Sequence, residues 1–260
     1  METANEHSTS QSVPVRHSRF AACAQVFRLT LRRQFFSRQT IVTAVLLGLS
    51  LGITALWAYP KSWNPDPRTS AQLASQILSP LYMGFLLPII CLSYASAAIS
   101  GERTGQTLVY LLTTNIPRPL VYLAIYAAVV LLTLAVTLGG LSALCLVIDE
   151  NGLEAFRVFS TVVTCATVTY VGLFLLFSAG VRRATFLALA YALMIETLTA
   201  NIPGVVKRVT VSFYAKSWLY ETGEPLDLAP TGAALGLFNP VSAASAQWVL
   251  ALASVGFLAL

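Results

Sequence analysis

The groups that could do chemistry are few, and most lie in one stretch between two apolar runs. It reads Ser100-Gly101-Glu102-Arg103-Thr104-Gly105-Gln106-Thr107-Leu108-Val109-Tyr110-Leu111-Leu112-Thr113-Thr114-Asn115-Ile116-Pro117-Arg118. Glu102 and Arg103 are adjacent opposite charges. Leu108, Leu111 and Leu112 recur at helical spacing, and Pro117 and Pro119 close the stretch and fix its exit angle. This pattern suits docking more than bond-making. It predicts a short amphipathic helix at the membrane surface that fits a groove on a cytoplasmic partner, oriented by Glu102 and Arg103. Glu196 stands apart, as the only acid or base inside an apolar run. A charge at membrane depth is costly and must face a bundle interior or a wet cavity. Two readings stay open for it. One is a substrate-path or gating carboxylate. The other is a structural residue near the end of its run, hydrogen-bonded to Thr197, Asn201 or a neighbouring helix.

Other chemistries lack their residues, so no catalytic residue and no metal site is expected. The only histidines, His7 and His17, precede the first apolar run, so an intramembrane His-dependent protease or a b-type haem protein has no ligands at depth. Asp149 lies at a run end without a second intramembrane Asp, which excludes an aspartyl-type intramembrane protease. No G-x-x-x-x-G-K-[ST] pattern occurs, so the chain should bind no ATP of its own and carries no cofactor. Cys23, Cys91, Cys145 and Cys165 lack metal-ligand spacing and read as small apolar packing residues.

The elements holding these residues follow from composition. Of 260 residues, 10% are charged and 56% hydrophobic, with mean hydropathy +0.72. A soluble domain averages about 25% charged. The chain is therefore expected to be an all-α polytopic membrane protein. Its net charge of +5 makes no case for nucleic acid. Six apolar runs approach the roughly 20 residues a bilayer requires. They are 41–58, 78–99, 120–148, 158–181, 184–200 and 241–260. The last is still apolar at Leu260, as in a chain that continues further. Pro80 and Pro88 predict kinks in the second, and Gly139-Gly140 a close helix approach in the third.

Charge placement predicts the orientation. With six crossings, Arg16, Arg19, Arg28, Arg32, Arg33, Arg38, Arg103, Arg118, Arg182 and Arg183 share one side. Lys61, Arg68, Arg157, Lys207, Arg208 and Lys216 share the other, with most of the acids. The N-terminus is thus expected in the cytoplasm. It is no secretory signal, because the first run opens only at Ile41. Residues 1–17 are polar and expected to be a disordered cytoplasmic tail. Residues 18–39 predict a helix in the inner interface, with Phe20, Phe27, Leu31 and Phe35 on its apolar face and arginines snorkelling to anionic headgroups. In 201–240, the stripe Val206, Val209, Phe213 and Tyr220 predicts a helix on or dipping into the outer surface; a plain packed loop is the other reading.

The 100–118 stretch resembles the corresponding loop of ABC-2 type transporter permeases, the membrane subunits of bacterial ABC exporters. That family often shows an acidic residue and Arg, then Gly-Thr-Leu, then Leu-Leu-Thr-Thr-Pro, then Ser-Arg. Glu102, Arg103, Thr107, Leu108, Leu111, Leu112, Thr113, Thr114 and Arg118 match by position. Gln106 stands where Gly is usual, with Gly105 one place early; Asn115 and Pro117 replace Pro and Ser. An interfacial helix, six spans and a long outer loop before the last span extend the resemblance over 18–260. It implies that 100–118 is a coupling helix contacting a separate ATPase subunit, which binds ATP and Mg. It further implies a second permease copy, identical or related, in the bacterial inner membrane. A membrane scaffold or assembly factor without transport is the competing reading.

Overall fold

The computed structural model describes residues 19–58, 74–104, 118–148, 152–180, 190–191, 208–223 and 239–259. All regular structure among them is helical. The elements are α1 (Arg19–Phe35), α2 (Arg38–Ala58), α3 (Ala74–Leu86), α4 (Leu87–Thr104), α5 (Arg118–Ile148), α6 (Gly152–Gly180), α7 (Val211–Thr222) and α8 (Ala243–Ala259). Four stretches are long and apolar enough to cross a membrane: Arg38–Leu56, Leu78–Ile99, Pro119–Val147 and Gly152–Gly180. The sixth run forms an apolar helix, Ala243–Leu258, that is shorter than these. Of the fifth run, 184–200, only Ala190 and Tyr191 lie among the described residues. The tail 1–17 lies outside them.

The second run is one rod with two windings. α3 is π-helical and contains Pro80. Proline lacks the N–H an α-helix needs and its ring crowds the preceding turn, so the wider winding accommodates it. Pro88 falls at the junction, in the first turn of α4, and like Pro80 removes a backbone donor from the rod. The two prolines thus mark the π-helical stretch and its junction with α4, where the sequence predicted kinks.

α6 is the central helix. It packs on α4, α5, α7 and α8, and Phe159, Tyr170 and Phe174 are fully buried. Tyr170 and Phe174 stack 5.9 Å apart. Lipid tails are as apolar as leucine, so tight packing and interhelical hydrogen bonds hold such a bundle together. Tyr82 donates to the Thr137 carbonyl, Tyr126 to Val168 O at 3.2 Å and Thr169 to Leu250 O at 3.3 Å. α2 is inside-out relative to a soluble helix. Thr43, Ser50 and Thr54 are buried, whereas Ile41, Val42, Val45, Leu49 and Leu56 face outward. The buried Ser50 and Thr54 donate within their own helix, to Leu47 O and Ser50 O, both at 2.8 Å.

These contacts also set directions. Tyr82 lies beside Thr137, and Cys91 hydrogen-bonds Thr167, near the level where Tyr126 meets Val168. α4 is therefore antiparallel to α5. The Tyr94 hydroxyl lies 3.4 Å from Thr40 Oγ1, and Leu47 reaches Gly140, so α2 is antiparallel to α4. Hence the start of α2, the end of α4 and the start of α5 share one end of the bundle. Thr169 meets Leu250 and Gly172 meets Phe257, so α8 runs parallel to α6.

Candidate functional site: the two ends of the bundle

The arginine-rich end is built around the elbow between α1 and α2. Gln34 accepts on its carbonyl from Ser37 N (3.1 Å) and Thr40 Oγ1 (2.8 Å). Its side-chain Nε2 donates to Tyr94 O at 3.1 Å, tying α1 to α4. α1 also packs along α5. The face it buries is not the predicted stripe. Phe27 and Leu31 are partly buried, but Thr30 and Gln34 hold the centre of the contact and Phe35 points out, 54% exposed. Gln34 Oε1, Ser37 Oγ and Gln39 Oε1 are buried there without a hydrogen-bond partner among the described residues. Sequence reasoning turned the Phe20, Phe27, Leu31 and Phe35 face toward the bilayer and assigned no face to the bundle, so it did not anticipate this polar seam.

The predicted docking stretch joins the same end. α4 is helical through Glu102 and Arg103 to Thr104, the last residue described on this side. Arg118 opens α5. Gly105, Gln106, Thr107, Leu108, Leu111, Leu112, Thr113 and Thr114 lie outside the described residues, as does Glu196.

The opposite end holds α7. Thr210 caps it by accepting from Phe213 N at 3.3 Å, and Gly223 closes it by donating to Leu219 O at 2.7 Å. The helix is embedded among α3, α6 and α8, with Val211, Phe213, Trp218 and Leu219 buried. Within 201–240 the described residues thus include a packed helix and not only a plain loop. Val209 of the predicted stripe is exposed, while Phe213 is buried. Lys216 Nζ comes within 3.7 Å of the place a Cβ would take on Gly84, an ordinary contact distance that sets the ammonium beside α3. Tyr220 hydrogen-bonds Ser79, also of α3. Burial pushes the Tyr220 phenol up, and the Ser79 hydrogen bond opposes the shift. Glu221 accepts from Ala243 N and so caps α8. The cap pair Thr210 and Gly223 was legible as a helix start and stop signal; Glu221 was not, since its target is remote in sequence. Among the described residues no three His, Cys, Asp or Glu side chains could together hold a metal ion.

Among curated proteins no match to this chain is found. A family model described as "ABC-2 family transporter protein" matches residues 31–208, from within α1 through the 100–118 stretch and α6 to just short of α7. Several membrane-length apolar helices and a match over more than half the sequence lead to one statement: the chain is a multi-pass membrane protein that belongs to the ABC-2 transporter family.

Proposed function

We propose that the chain is the permease subunit of an ATP-driven exporter. In this reading it crosses the bacterial inner membrane six times with its N-terminus in the cytoplasm, and pairs with a second permease copy. A separate ATPase subunit binds ATP and Mg, docks on Glu102–Arg118, and drives substrate translocation through it. Beside family membership, one observation carries the reading. The end of α4 and the start of α5 share the arginine-rich end of the bundle, so the stretch between them joins two helices on the side that the positive-inside rule assigns to the cytoplasm.

The crossing number has its own support. α6 ends at the arginine-rich end, while α7 and the start of α8 lie at the opposite one, by way of Ser79, Gly84 and Ala243. A fifth crossing would join these two ends. Tyr191 stands against Phe177 at 5.7 Å and Phe174 at 6.2 Å, where a run folding back along α6 would pass. In this reading the run 184–200 is the fifth crossing and α8 the sixth.

The experiment is Glu102→Arg, expressed at wild-type level, with pull-down of the ATPase and substrate-stimulated ATP hydrolysis as readouts. Breaking a buried charged contact costs roughly 2–5 kcal/mol, so both should fall sharply while membrane insertion is unchanged. Wild-type values of both would remove Glu102 from the mechanism. A wild-type chain that retains no ATPase would leave the scaffold reading.

A further inference from the structure

We infer that the free face of α1 is a clamp for anionic phospholipid headgroups. One face of α1, with Phe27, Thr30, Leu31 and Gln34, is taken up by α4 and α5. The opposite face carries Gln25, Arg28, Leu29, Arg32 and Phe36 at helical spacing, all exposed. Arg28 and Arg32 are one turn apart on it, and Arg38 is exposed just beyond the elbow. The clamp rests on these three arginines.

The apolar residues among them decide the partner. Leu29 is 68% exposed and Phe36 81%. Phe36 packs edge-on against Phe35 at 5.4 Å, which stiffens the pair at the elbow. Directly after the elbow, the outward face of α2 continues with Ile41, Val42 and Val45. Exposed apolar residues thus lie on both sides of the elbow, on α1 and on the membrane-length helix α2, with Arg38 between them. Residues on such a surface sit in acyl chains where the helix enters the bilayer, and arginines interleaved with them lie at phosphate depth. An acidic protein surface would satisfy the arginines but leave Leu29 and Phe36 to be matched by an apolar patch of its own. A bilayer supplies both layers at the required spacing. Guanidinium groups also bind phosphate through paired donors.

The test uses the purified full-length chain in detergent, titrated with phosphatidylglycerol or phosphatidylcholine of identical acyl chains and read by native mass spectrometry. Wild type should prefer phosphatidylglycerol, and the preference should weaken at high salt. R28Q/R32Q should lower phosphatidylglycerol affinity about thirty-fold, at roughly fivefold per arginine, with phosphatidylcholine binding unchanged as the check on folding. R28K/R32K should retain most of the preference. Equal wild-type binding of the two lipids, a salt-independent preference, or undiminished phosphatidylglycerol binding by the glutamine variant would each overturn the clamp. So would a result in which added ATPase, and not lipid, protects this face from arginine-directed labelling.

Discussion

The approach of α2 to α5 rests on a single missing methyl group, which makes Gly140→Ala a sharp test of the helix packing. A Cβ on Gly140 would lie 2.6 Å from Leu47 Cδ2, 3.2 Å from Cδ1 and 3.5 Å from Cγ. Carbon pairs settle at about 3.5–4.0 Å, so the leucine tip must withdraw by roughly 1 Å. Leu47 is only partly buried, which leaves it a rotamer to move into. The cost therefore falls in the lower part of the overpacking range, about 1–2 kcal/mol, or a fall of roughly 2–8 °C in melting temperature. Gly139 has nothing within 4 Å; Gly139→Ala should be neutral or slightly stabilising, since alanine favours the helix. Leu47→Ala removes the atoms the new methyl would strike. The Gly140→Ala/Leu47→Ala double variant should then be more stable than the sum of the single effects predicts, by about 1 kcal/mol. Thermal unfolding followed by size-exclusion in detergent reads all four proteins on one scale. Equal effects at 139 and 140, or strict additivity with Leu47→Ala, would refute the contact and with it the antiparallel placement of α2 and α4.

At Gly152 a Cβ would meet the Cys145 carbonyl oxygen at 2.1 Å, where backbone and not a flexible tip must move. Gly152→Ala should therefore cost more than Gly140→Ala, at least about 3 kcal/mol, and show as loss of folded protein in the same assay. Glu221→Ala removes the cap on α8; about 0.5–1 kcal/mol should be lost, and amide exchange should rise first in the opening turn of α8. Tyr220 has a folded pKa above its ordinary 10.0, so its contribution to stability is whole below that pH and is lost as pH rises through the folded value. Tyr220→Phe should flatten that alkaline decline while costing about 1 kcal/mol at neutral pH for the Ser79 hydrogen bond.

The spans that could be read from sequence are those where the bilayer is the dominant constraint. Ile41–Ala58 and Leu120–Ile148 are uninterrupted apolar runs, and helices α2 and α5 match them within a few residues. Their ends follow other forces. α4 continues to Thr104 and α6 starts at Gly152, several residues outside the runs, because a helix already nucleated adds polar turns at small cost. The face of a helix was harder to read than its existence. In water an apolar stripe points inward; in a bilayer the small and polar residues pack and the apolar ones face out. That inversion is why Thr30 and Gln34, not Phe35, fix α1. It is also why Thr43, Ser50 and Thr54 line the packed side of α2. The Tyr220–Ser79 and Glu221–Ala243 contacts join residues far apart in the sequence, and no periodicity announces them.

The two ends of the bundle are joined by one rod, and its two windings assign each half a mechanical character. A load applied at Thr104 enters α4, whose α-helical ladder resists bending and whose Tyr94 carbonyl is pinned to Gln34. It then reaches α3, where Pro80 has removed a ladder hydrogen bond and Gly84 has no side chain to pack. A ladder missing a bond yields before an intact one does. Under the proposed function, a displacement at the arginine-rich end would be taken up first in α3, against the Lys216 and Tyr220 contacts of α7. α7 in turn holds the first turn of α8 through Glu221. The contacts that would feel a docking event at 100–118 are therefore those at the far end of the same rod, where the chain's only described lysine is brought against a π-helical turn.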